Sequence, residues 1–271
     1  MTINSYLTSI ANASILRDQS KLDIQRSVAT LNTRLQEYFG DGISRTLVFG
    51  SYSRGTILPR GMDPCADVDL MIVFADGSYR PQTYLDQLRR FASFRYASSE
   101  IAQSSPTIVL SLNHIRFELV PATESWFSGL QIPAPASDSL DWIETDPTGF
   151  NQKLTQTNQS HGYLIKSLIR IMKYWNAKAG HPFESYGLEQ AIVGHGFLFL
   201  GLLSSGQQIK DYFFAFVEDL SAGWGAPQSK QNAVNRLKQI TAQAKALEAG
   251  GNIAAAESVI AKLLPPLGLF A

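Results

Sequence analysis

The sequence predicts an α+β fold, α/β in its first half and mainly helical in its second. Three observations predict it. Short apolar, β-prone runs stand at 47–49, 68–74, 107–112 and 115–120, with Gly, Pro, Asn and Asp between them. From residue 162 onward apolar residues recur at three- and four-residue steps, the spacing of a helix face. The 271 residues are 45% hydrophobic and 17% charged, without repeat or low-complexity tract, which suits an ordinary globular chain of one large domain or two lobes.

In chain order, Ile24, Val28, Leu31, Leu35 and Tyr38 line a long amphipathic helix that Gly40-Asp41-Gly42 stops. Leu47-Val48-Phe49 is a strand ended by Gly50-Ser51, and Val68 to Phe74 is its neighbour across a Gly/Pro/Arg-rich loop. Pro81 suits the first turn of a helix whose apolar face is Tyr84, Leu85, Leu88 and Phe91. Thr107 to Leu112 and Ile115 to Val120 make a hairpin turning at Asn113-His114. Thr123 to Thr148 is rich in Pro, Ser and Asp and reads as a surface loop between lobes, with the boundary near Pro147. This gives lobes at 1–147 and 148–271. Leu164, Leu168, Ile171 and Trp175 stripe the next helix, and Lys166, Arg170 and Lys173 share a second stripe. Ser185 to Glu189 opens another helix, and three more are expected at 197–203, 234–247 and 253–264.

Side chains alternate along a strand, so Asp67 and Asp69 share one face while Val68, Leu70, Ile72 and Phe74 take the other. Two converging carboxylates repel unless a cation sits between them, and Mg²⁺ favours carboxylates together with phosphate oxygens. Gly50 lets backbone approach a phosphate, and Ser51 adds a hydroxyl and an amide donor. An aspartate pair in a solvated turn is the alternative, which the Gly-Ser element one loop upstream disfavours. Glu118 lies mid-strand between Phe117 and Leu119 and requires a partner, with Arg116 or Arg54 as plain ion-pair choices. The Lys166, Arg170 and Lys173 row reads as a solvated face or as an anion contact. Ser185 stands at a helix start, where anions are favoured and where it also suits an N-cap. Asn158, in the polar run 151–161, is an amide suited to reading a base edge or to capping a helix.

Lys plus Arg equals Asp plus Glu at 23 each, which gives no basic field for a long nucleic acid. The single cysteine, Cys65, excludes an internal disulfide and a cysteine-based zinc cluster. His114, His161, His181 and His195 have no metal-ligand spacing. The first residues show no signal-peptide pattern and no window is long enough to cross a bilayer, so a cytoplasmic protein is expected.

GSYSRGT followed by DVDL resembles the glycine-serine and D-x-D signature of the polymerase-β-like nucleotidyltransferases. Its spelling is most similar to the bacterial cGAS/DncV-like oligonucleotide cyclases, the CD-NTases of antiphage CBASS systems. FELVPA resembles the strand that brings the family's third acid, which implies Glu118, although that acid is commonly aspartate. RIMKYWN resembles the helix that brings a lysine to the triphosphate, which implies Lys173, with Ser185 beside it. The resemblance thus implies Asp67, Asp69 and Glu118 as catalytic metal ligands for two Mg²⁺ ions, with Mn²⁺ as a substitute. It implies Gly50, Ser51, Lys173 and Ser185 around the phosphates, a nucleotide between the lobes, and an N-terminal helix spanning both. Nucleoside triphosphates would be donor and acceptor, pyrophosphate would leave, and a cyclic di- or trinucleotide would signal to a separate effector protein in antiviral defence. A monomer needing neither long nucleic acid nor membrane is expected. Transfer to an RNA end, a protein or a small molecule is an alternative, as is a catalytically silent nucleotide-binding module.

Overall fold

A computed structural model describes residues 1–104, 106–113, 115–125, 129–135, 141–197 and 207–266. The chain divides into two compact units, one of Arg17–Gly55 and Cys65–Asn151, the other of Met1–Leu16, Thr56–Pro64 and Gln152–Ala271. The last passage between them, at Asn151 and Gln152, lies close to the expected boundary near Pro147, and two earlier segments belong with the C-terminal residues.

The first unit is built on a sheet. Its strands are β1 (Ile43–Phe49), β2 (Val68–Phe74), β3 (Glu100–Ser104), β4 (Thr107–Ser111), β5 (Arg116–Ser125), β6 (Gly129–Pro133) and β7 (Trp142–Thr145). They run in the order β1-β2-β5-β4-β3, with β6 pairing β5 and β7 pairing β6. β2 and β5 are parallel and every other pair is antiparallel, so the sheet is mixed. Leu70, Met71, Ile72 and Val73 are all fully buried. At about 1.5–3 kcal/mol for each such side chain, this run holds β2 at the centre. On one face Phe39 at the end of α2 (Asp18–Phe39) meets Phe74 at 5.5 Å, and Tyr84 of α4 (Pro81–Arg95) meets Phe74 at 4.7 Å. On the other, Met71 and Val73 pack with Ala122, Leu130, Leu47, Phe49 and Ile132.

The stretch expected as a loop at 123–148 contains strand at 123–125, 129–133 and 142–145. β5 continues past Pro121 to Ser125, and Thr123 pairs Gln131 while Ile132 pairs Ile143. Pro121 sits beyond the last residue of β5 paired with β4, where Ile108 meets Leu119, so it does not end the strand. The Asn113-His114 hairpin has the expected arms, but His114 lies outside the described residues.

The second unit is helical. It holds α1 (Ile3–Ala13), most of α5 (Pro147–Ser160), α6 (Leu164–Lys178), α7 (Ser185–Gly194), α8 (Ile209–Asp219), α9 (Gln228–Ala249) and α10 (Ile253–Ile260). The short α3 (Gly50–Arg54) belongs to the sheet unit. α6 is buried almost all round from Leu168 to Asn176, the mark of a central helix. α1 packs on α6, α8 and α10, and the Tyr6 hydroxyl donates to the Leu264 carbonyl at 2.6 Å. Of the helix expected at 197–203, only Phe197, which is buried, lies within the described residues.

Candidate active site

The acids of the sheet unit are brought together by register. Asp69 on β2 pairs Glu118 on the parallel strand β5, and on the other side it pairs Phe49, the residue before Gly50. Asp67 stands two residues earlier, just before β2, and interacts with both Asp69 and Glu118. All three are half-buried. At Gly50 the chain turns from β1 into α3 with φ +68°, and a Cβ added there would lie 1.7 Å from Asp69 Oδ2. A side chain is excluded on both counts. α3 ends at Gly55, whose left-handed backbone caps it.

The carboxylates are not left to repel freely. Arg116 Nη2 donates to Glu118 Oε1 at 3.1 Å, and Thr107 Oγ1 approaches Glu118 Oε2 at 3.5 Å. The Arg116 ion pair anticipated from the sequence is therefore present, and it coexists with the cluster. Burial, then Asp69, then Glu118 push the Asp67 carboxyl up to about 8, against the opposing pull of Arg116, and Asp67 hydrogen-bonds Glu118. The neutral form of Asp67 can donate that bond.

This cluster fits a hard divalent cation. It offers only carboxylate oxygens, and burial followed by the Asp69 and Glu118 charges disfavours the charged form of Asp67. It also affects stability. The folded chain keeps the Asp67 proton at pH values where the unfolded chain has released it, so the unfolded state gains as pH rises from about 4 towards 8. In EDTA the protein is expected to lose on the order of several kcal/mol across that window, and Asp67→Asn to flatten the loss. Thermal melts of both proteins from pH 5 to 8 check this, and parallel slopes would refute it.

The other expected site residues lie in the helical unit. Lys173 and Arg170 are buried at 5% and 8% exposure, so the row on α6 is not a solvated face. Lys173 Nζ donates to Glu189 Oε1 at 3.2 Å, and Arg170 Nη2 to Ser167 Oγ at 3.4 Å. Burial, then the Arg170 charge, hold Lys166 below the usual lysine range, and Glu189 opposes them. Ser185 is the first residue of α7, with Glu184 at the N-cap position. Asn158 is buried at the end of α5, and its Oδ1 accepts from the Lys166 amide at 2.9 Å, capping the first turn of α6. Sequence reasoning missed Glu189 and Thr56. The signal for Glu189 was present, since it falls three and four residues before Ile192 and Val193 on the buried face of α7.

A family model described as the Second Messenger Oligonucleotide or Dinucleotide Synthetase domain matches residues 1–158. A probable cyclic nucleotide synthase of Bacillus cereus (strain VD146) is 26% identical over 183 residues, which cover 54% of this chain and 54% of that relative. The chain therefore matches about half the length of that relative. Among solved structures, GTP-bound Vibrio cholerae DncV superposes with a TM-score of 0.69 at 11% identity, covering 90% of each chain. Escherichia coli MS115-1 CdnC with ATP gives a TM-score of 0.64 at 16% identity, covering 97% of this chain and 96% of that one. At such identities the likeness shows a shared fold, the mixed sheet with its helices.

Proposed function

Because the chain belongs to the Second Messenger Oligonucleotide or Dinucleotide Synthetase family, within the cGAS/DncV-like nucleotidyltransferases, we propose that it condenses nucleoside triphosphates into a cyclic di- or trinucleotide. The product would act as a second messenger in antiphage defence and reach a separate effector protein. The observation that carries this reading is the convergence of Asp67, Asp69 and Glu118 beside a position where only glycine fits.

In this reading Asp67, Asp69 and Glu118 would hold two Mg²⁺ or Mn²⁺ ions, with Asp67 in its ionised form. When bound, the two ions supply neutralisation of the triphosphate charge and acidify the attacking ribose hydroxyl. Arg116 and Thr107 keep Glu118 aimed, so its longer side chain does not wander where an aspartate would be shorter. The bare Gly50 leaves the flank of Asp69 open to a phosphate. Ser51, Lys173 and Ser185 hold the β- and γ-phosphates so that pyrophosphate departs in line. Fixed charges and dipoles supply most of the acceleration, and no protein nucleophile is required. A monomeric state and a cytoplasmic location complete the proposal. Among the described residues no helix is long and apolar enough to cross a membrane.

The test is to incubate the protein with all four radiolabelled nucleoside triphosphates and Mg²⁺ or Mn²⁺, treat with phosphatase and identify resistant products by mass. A phosphatase-resistant cyclic product is expected. Label transferred only to RNA ends, a protein or a small molecule would overturn cyclisation, and triphosphate binding that is indifferent to divalent cation would overturn catalysis.

A further inference from the structure

Glu189 is a fully buried carboxylate that the mechanism above does not use. Its Oε1 accepts from Thr56 Oγ1 at 2.8 Å and from Lys173 Nζ at 3.2 Å. Thr56 is also fully buried, and the Lys173 side chain is 6% exposed. One oxygen thus gathers a hydroxyl from the segment 56–64 and an ammonium from α6. Thr56 is the next residue after Gly55, which terminates the Gly50–Arg54 turn.

A buried ammonium without a counter-charge carries a large desolvation cost, which Glu189 offsets. The lysine stem also has four rotatable bonds. Ordering such a side chain at the moment of binding costs free energy, and a cation already in place avoids that cost. We propose that Glu189 is a positioning residue for the triphosphate, holding the Lys173 ammonium and Thr56 ready before the nucleotide arrives. This rests on the reading of Lys173 as a phosphate contact, and it adds that the contact is built by a carboxylate that never touches the nucleotide.

Inorganic tripolyphosphate with Mg²⁺ is a probe independent of the base, and calorimetry on the full chain reads its affinity without turnover. Lys173→Met and Glu189→Gln are each expected to weaken binding about tenfold, and the double variant to be no worse than either single one. Unchanged binding by Glu189→Gln beside a weakened Lys173→Met would overturn the positioning role and leave Lys173 in place. Unchanged binding by Lys173→Met would overturn the phosphate role and this proposal with it, while formation of cyclic product by the wild type stands as a separate result. Fully additive losses in the double variant would show Glu189 acting independently, which also overturns it. If Glu189→Gln does not fold, Thr56→Val carries the test. A loss of a few fold that Thr56→Ser restores supports the proposal, and unchanged binding in Thr56→Val defeats it.

Discussion

Replacing Asp67 and Asp69 together by alanine is expected to lower nucleotide condensation by on the order of 10³-fold or more, because stabilising the charge that develops at the reacting phosphate is the main source of acceleration in such chemistry. The same double variant is expected to be more stable than the parent in EDTA at pH 8. It lacks both the Asp67 carboxyl, whose proton is held up to about 8, and the Asp69 charge that helps to hold it there. Loss of activity joined to a gain in melting temperature cannot come from misfolding. Product formation and a thermal melt on one preparation measure both, and retention of more than about a tenth of the turnover would remove these residues from the chemistry.

Gly50→Ala is the second large effect. Its methyl group would sit 1.7 Å from Asp69 Oδ2, so the carboxylate must move, and the backbone at φ +68° adds about 1–2 kcal/mol of strain. Displacing a ligand by about an ångström typically costs on the order of 10²-fold in rate. Gly55→Ala separates the two causes. It shares a φ of +69°, but its Cβ would meet nothing within 4 Å. Gly55→Ala is therefore expected to melt earlier yet keep most of its activity, and Gly50→Ala to lose both. If the two variants turned over equally, crowding of Asp69 would have no part in the site.

The legible parts of the site were those set by local alternation. Period-two patterning placed Asp67 and Asp69 together, and the apolar flanks of Glu118 marked it as a carboxylate that needed company. Strands β6 and β7 escaped notice because they are short, lie among Pro and Ser, and take their ladder bonds, among the described residues, from β5 and each other. Periodicity likewise put Lys166, Arg170 and Lys173 on one stripe without revealing what faced them. Lys173 faces Glu189, sixteen residues further along, and is buried with Arg170 while Lys166 is half-buried. Asn158 shows the same limit, since an amide of the right chemistry for a base edge is bonded to the next helix.

The packing of α1 also sets a timetable for synthesis. Its partners include Glu248, whose Oε1 accepts from the Ile3 amide at 3.3 Å, and Leu264, which receives the Tyr6 hydroxyl. At about 5–20 residues per second, the first helix leaves the ribosome roughly ten to fifty seconds before those partners exist. Until then Ile3, Leu7 and Ile10, all buried in the finished chain, lack part of their cover, since only α6 and α8 of their partners have been made. A chain stalled before α9 is complete therefore keeps part of the apolar face of α1 open to solvent.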